Sequence, residues 1–138
     1  MVFEKKTVTV KSTVLLVGLA LTAIPMLGRS EVTPLSVNGT LTGQIVIAPE
    51  QGILTGSNLL HSFNSFHIRA GESVTFTGPS FIENVLARVT GNQPSEINGL
   101  LRSSIDQANL FLLNPNGVMF GPEAAISVDG ALYVSTAD

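Results

Sequence analysis

A sharp corner between two apolar runs near the carboxyl terminus constrains the fold of this chain more than any other feature. Leu110 to Leu113 has strand length, stops at Asn114-Pro115-Asn116-Gly117, and resumes as Val118-Met119-Phe120 before a second break at Gly121-Pro122. This reads as strand, corner, strand. Pro115 fixes its φ at about −65° and pushes Asn114 out of the helical region, while Asn116 and Gly117 suit the left-handed backbone that a sharp bend uses. The corner is specified by local chemistry. Its side chains fit a structural role, in which asparagines bond neighbouring backbone or stack on the next layer, better than a role in contacting a partner.

The rest of the chain from Glu31 onward follows the same grammar. Short β-type runs, Gln44–Ile47, Ser65–Ile68, Ser73–Phe76, Val85–Val89, Leu110–Leu113 and Ala131–Val134, are separated by Gly71, Gly78-Pro79, Gly91-Asn92 and Asn98-Gly99. No stretch sustains a helical stripe, so an all-β domain is expected. A weak repeat, (Val/Ile)-(Asn/Asp)-Gly-x-Leu, occurs at Val37, Ile97 and Val128. Such corners permit positive φ and would turn inward-facing side chains round the bends of a solenoid, but Asn-Gly equally suits two-residue hairpins. On the residues alone, a β-solenoid and a β-sandwich fit alike.

The first thirty residues read differently. Lys5, Lys6 and Lys11 precede an apolar run, Val14 to Ile24, that is shorter than the roughly 20 residues of a membrane span. Gly28 and Ser30 place small side chains before Glu31, so a cleaved secretory leader over residues 1–30, with a signal helix and cleavage between Ser30 and Glu31, is expected. An uncleaved anchor is the alternative, because Arg29 and the lack of an Ala-x-Ala motif weaken that site.

Charge and cysteine content narrow the function classes. Four of the seven basic residues and one of the ten acidic residues precede Glu31, which leaves Arg69, Arg88 and Arg102 against nine acids, a net charge of −6. Such a body is a poor polyanion binder, so nucleic acid is not expected as a partner. The chain has no cysteine, which removes disulfides and thiolate zinc sites from consideration. His61 and His67 are six apart, an even spacing that would set both on one side of a strand; without a supporting carboxylate they do not complete a metal set, and Phe63 and Phe66 between them look like core. Glu72, Glu83, Glu96, Asp106 and Glu123 are scattered, and no nucleophile, phosphate-binding or redox motif occurs. No enzyme activity, cofactor or metal is expected. Arg88, between apolar neighbours on a strand, reads as an exposed or carboxylate-paired arginine and is the one candidate for contact with a partner.

Asn114-Pro115-Asn116-Gly117-Val118 resembles the NPNG(I) signature of the two-partner secretion domain, the amino-terminal haemagglutination activity domain of filamentous-haemagglutinin-like bacterial exoproteins. The resemblance extends through Asn84 to Gly91, Ser95 to Leu101, Ala108 to Phe111, Phe120-Gly121 and Val128 to Gly130, to Ser135 to Asp138. The Asn-Pro-Asn-Leu motif of the haemagglutinin branch is not present; Glu83-Asn84-Val85-Leu86 stands in roughly that region, so the role of that motif is not carried onto Asn84. The resemblance implies a right-handed parallel β-helix with an amino-terminal cap strand, for which Gln44–Ala48 is the candidate, and residues 31–138 as the front part of the domain, incomplete at its carboxyl end. A part-built β-helix of this kind is expected to be marginally stable and prone to edge association.

The functional implication is a secretion-targeting module. The leader would use the Sec machinery to reach the periplasm, and a dedicated outer-membrane β-barrel transporter with periplasmic domains would recognise the module in two-partner (type Vb) secretion. The β-helix would then fold outside, leaving the exoprotein secreted or on the cell surface. The alternative is a surface carbohydrate-binding adhesin or a β-helical polysaccharide-active enzyme. Against it stand the absence of Trp and a single tyrosine, Tyr133, for stacking on sugars.

Overall fold

The computed structural model describes residues 2–3, 7–9, 31–34 and 42–137. The signal helix and the Ser30 side of the cleavage site lie outside the described residues, as does the first of the three (Val/Ile)-(Asn/Asp)-Gly repeats.

Fourteen strands are described: β1 (Val2–Phe3), β2 (Thr7–Thr9), β3 (Glu31–Pro34), β4 (Gln44–Ile47), β5 (Ile53–Thr55), β6 (Asn58–His67) and β7 (Ser73–Phe76), then β8 (Asn84–Val89), β9 (Ser95–Ile97), β10 (Leu100–Ser103), β11 (Asn109–Leu113), β12 (Val118–Phe120), β13 (Ala125–Ser127) and β14 (Leu132–Ser135). A 3-10 turn, Pro49–Gln51, is the one helical element among the described residues. The fold is a right-handed parallel β-helix of about four coils. One sheet stacks β6, β8, β11 and β14, a second stacks β4, β7, β10 and β13, and β9 pairs with β12 in a third.

Each coil places like on like. Leu59, Val85, Leu110 and Leu132 are in register in the first sheet, and Ile45, Val74, Leu101 and Ile126 in the second; all eight are buried. Alternation along each strand sends the intervening residues outward. The apolar columns from the two sheets meet in one continuous core, to which Phe120 of the third sheet is packed. At the first coil the core is aromatic, with Phe63, Phe66 and Phe76 at centroid distances of 5.1–6.2 Å.

A solenoid leaves open backbone edges at its ends. At the amino-terminal end β6 is covered by two antiparallel strands, β5 along Asn58–Leu60 and β3 along Phe63–His67. Gln44–Ile47, the expected cap, instead pairs in parallel register with β7 and is the first strand of the second sheet; Glu31–Pro34 is the antiparallel cover. At the other end, β1 and β2 lie antiparallel on β14 and β13.

Two sequence expectations are corrected. Gly99 and Gly130 do not adopt positive φ, which among described glycines is confined to Gly43, Gly56, Gly71 and Gly117. They are glycine because the preceding coil crowds them: a Cβ on Gly99 would lie 2.3 Å from the Arg69 carbonyl oxygen, and one on Gly130 2.6 Å from that of Ala108. Second, His61 and His67 share β6 but not a side. The pairing with β3 slips by one residue at Asn64, between Phe63 and Ser65, and Ser65 and Phe66 next to it are buried consecutively, which breaks the alternation between the two histidines.

Candidate functional site

The Asn114 corner joins β11 to β12 and sits over the corresponding bend of the preceding coil. Asn114 is 0 % exposed, and every polar position it has is used. Its Nδ2 donates to the Gln93 carbonyl at 3.0 Å and to Ser95 Oγ at 2.9 Å; its Oδ1 accepts from the backbone N–H of Asn116 at 2.9 Å and from Asn116 Nδ2 at 3.1 Å. Its N–H donates to the Ser135 carbonyl of the following coil at 3.0 Å, and its carbonyl accepts from Gly117 N–H at 3.0 Å. An asparagine side chain offers two donors and two acceptor positions, so this one is saturated.

The remaining corner residues complete the same lock. Asn116 donates through Nδ2 to the Gly91 carbonyl at 2.8 Å. Gly91 in turn packs on the first coil, where an added Cβ would fall 2.1 Å from the Asn64 carbonyl oxygen. Gly117 has φ +115° and accepts from Ser95 N–H at 2.9 Å. The expectation that Asn116 shares the left-handed conformation does not hold, since among described non-glycine residues only Gln107, at φ 58°, has positive φ. Pro115 is exposed at the tip, and Val118 begins β12 opposite Ser95. The motif thus ties coils together through Asn114 and the Asn116 amide group, and leaves Pro115 and Asn116 Oδ1 at its exposed tip.

A second asparagine column, with no counterpart among the expected sites, runs down the outer edge of the first sheet. Asn84 Nδ2 donates to Asn58 Oδ1 at 2.9 Å, Asn109 Nδ2 donates to Asn84 Oδ1 at 3.1 Å, and Ala131 N–H donates to Asn109 Oδ1 at 2.9 Å. The signal was present in sequence as asparagines 26 and 25 residues apart, but only the coil length makes that spacing a ladder. Asn98 acts likewise at another bend, accepting from Glu123 N–H at 2.8 Å.

Arg88 is exposed on the outer face of β8, in register with Ser62 and Leu113, and among the described residues it forms no ion pair. Leu60, Leu86, Phe111 and Tyr133 form the neighbouring outward column, where the Phe111 and Tyr133 rings stack at 4.5 Å and 9°. Glu31 opens β3 opposite His67. Of the scattered acids, Glu96 pairs with Arg69 at 3.2 Å and Glu83 accepts from Ser57 Oγ at 2.9 Å. Among the described residues no group of three or more His, Asp or Glu side chains is placed to hold a metal ion.

The family model of the TPS secretion domain matches residues 33–138. The chain belongs to the TPS secretion domain family. A TPS domain is the secretion-targeting module of a two-partner secretion substrate, which implies an outer-membrane transporter as partner and an exoprotein exported through the periplasm. The TPS match and the β-helix agree, since the matched span contains all four coils. Comparison with curated proteins returns no match.

Proposed function

We propose that this TPS domain is recognised by the periplasmic domains of its outer-membrane β-barrel transporter while unfolded or part-folded, and that the Asn-Pro-Asn-Gly corner serves secretion by driving coil assembly outside the cell. The observation that carries this reading is the saturation of Asn114. A buried side chain with all its bonds internal has nothing left for a partner, whereas its bonds to Gln93 and Ser95, together with the bond from the Asn114 backbone N–H to the Ser135 carbonyl, exist only when three successive coils are in place. Each coil that closes on the far side then opposes return through the pore.

Recognition itself falls to surfaces the fold leaves open. An extended segment of the unfolded module would add to a sheet edge of the transporter by backbone pairing, with side chains such as Arg88 giving choice. In this reading residues 1–30 are a leader that uses the Sec machinery and is cleaved between Ser30 and Glu31, a step that would also remove β1 and β2 from the edges of β13 and β14. No catalytic residue or cofactor takes part. Carbohydrate binding is the weaker reading, since Phe111 and Tyr133 each bury one ring face against the other and so offer less free ring face to a sugar.

The test is secretion of residues 1–138 fused to an inert reporter, with and without the cognate transporter. Transporter-dependent appearance in the medium supports the targeting role. An Asn116→Asp, Gly117→Val double variant is expected to stay in the periplasm and to fail to fold when purified. Retention of a variant that still folds to wild-type stability would show that the corner acts by contact instead.

A further inference from the structure

His61 is the one fully enclosed titratable side chain among the described residues, and the corner and its bonding do not involve it. Its ring is 2 % exposed and faces the aromatic core, with the Phe76 centroid at 5.4 Å and the Phe63 centroid at 6.1 Å. On the other side lies the segment that joins the 3-10 turn to β5. A Cβ on Gly52 would fall 2.8 Å from both Cε1 and Nδ1, so glycine is what lets this segment close over the ring. Neither ring nitrogen makes a well-formed hydrogen bond, and the Gln51 backbone is a polar group close enough to act on the ring. The in-register neighbour on β8 is Ala87, and the next residues of that column are Leu112 and Val134, so an aliphatic residue would continue the stack.

The packed elements bring no compensating charge. β5 and β7 contain no ionisable residue, Arg88 of β8 lies on the outer face, and Glu50 of the 3-10 turn is exposed to solvent. His67 lies beyond the slip in alternation at the far end of β6. A proton added to this ring would place a positive charge in an apolar cage.

We propose that His61 is an acid-operated latch: protonation drives the ring out of its cage, unseats the 3-10 turn and β5 from the first coil, and bares the Asn58–Leu60 backbone edge that β5 covers. The latch is independent of which partner the module meets. Burial holds the His61 pKa down, from 6.5 to about 4, against an opposing pull from the Gln51 backbone. The ring is therefore neutral at pH 7, and the closed hairpin binds fewer protons than the open one between those two values.

The experiment is hydrogen exchange on the 138-residue chain, corrected for intrinsic chemistry, read at residues 53–60 and at Leu110–Leu112 as reference. From pH 7 to pH 4 the opening of residues 53–60 should rise about 100-fold, well ahead of the reference strand. His61→Phe, which keeps an aromatic ring in the cage, should abolish that rise; His61→Leu is the second variant should the first not fold. Equal pH dependence in wild type and variant overturns the latch. So does an NMR titration of the His61 Cε1 proton centred at the ordinary value of 6.5, a measurement that needs no variant.

Discussion

Asn114 Nδ2 and Ser95 Oγ meet at 2.9 Å in the buried bend between the second and third coils, 19 residues apart in sequence. Through this contact a corner that looks self-contained in sequence becomes a joint between layers. The same asparagine reaches the fourth coil through its backbone, so it registers three coils at once.

Removing that side chain should cost more than one hydrogen bond. Asn114→Ala leaves Ser95 Oγ, the Gln93 carbonyl and Asn116 N–H facing a void, and should destabilise the domain by about 2–4 kcal/mol in urea unfolding. Asn114→Asp should be no better, because a carboxylate cannot donate to Gln93 or Ser95 and its charge would be buried unpaired. A double-mutant cycle of Asn114→Ala with Ser95→Ala should return a coupling of about 1 kcal/mol; additivity would show the contact to be incidental.

Two glycines should respond to alanine for different reasons. At Gly99 the new Cβ would collide with the backbone carbonyls of Arg69 and Glu72, at 2.3 and 2.4 Å, which cannot swing aside. Gly99→Ala should cost on the order of 3 kcal/mol or prevent folding. Gly71 has open space around its Cβ position but φ +81°, so Gly71→Ala should cost only about 1 kcal/mol. Equal losses in thermal melts would contradict the crowding argument.

The Asn58, Asn84 and Asn109 ladder predicts a graded series. Asn84→Ala removes two side-chain bonds in the middle of the column and should lower stability by about 1–2 kcal/mol, whereas Asn58→Ala removes one at its end and should cost about half as much. Chemical denaturation of the two variants side by side decides it. A larger loss at Asn58 would mean that the ladder is not what stabilises this edge.

Stability should depend on pH through His61. The unfolded ring takes its proton near 6.5 and the folded ring only near 4, so the unfolded state binds more protons between these values. The contribution is intact above pH 6.5, is lost as pH falls towards 4, and changes no further below that. The total should be roughly 3 kcal/mol. Urea midpoints across this range should fall in wild type and fall less in His61→Phe.

Much of the fold was legible in the residues. Gln44–Ile47 and Ser73–Phe76 are strands with the expected bounds, and the Leu110–Leu113, corner, Val118–Phe120 sequence is as read. The β5–β6 hairpin lies outside the strands expected from sequence, although Gly56-Ser57 between apolar runs is a hairpin signal and Gly56 has φ +62°. Leu100–Ser103 and Ala125–Ser127 are not legible in sequence, because three- and four-residue strands next to a corner give too short a pattern to register.

The sequence by itself determined which side chains share a face wherever a strand is regular, since two-residue alternation fixes that; in β6 the irregular pairing with β3 overrides it. It also determined, by resemblance, the family. Only the tertiary structure decided which strand lies beside which. Alternation is the same for a strand paired through a local Asn-Gly turn and for one paired with residues about 25 positions away, so solenoid and sandwich could not be separated locally. The stacking of coils at that spacing made Asn98-Gly99 a crowded bend rather than a hairpin and aligned Asn58, Asn84 and Asn109. It also set Asn114 against Ser95, because hydrogen bonds and close contacts between layers depend on coil length, which no window of sequence contains.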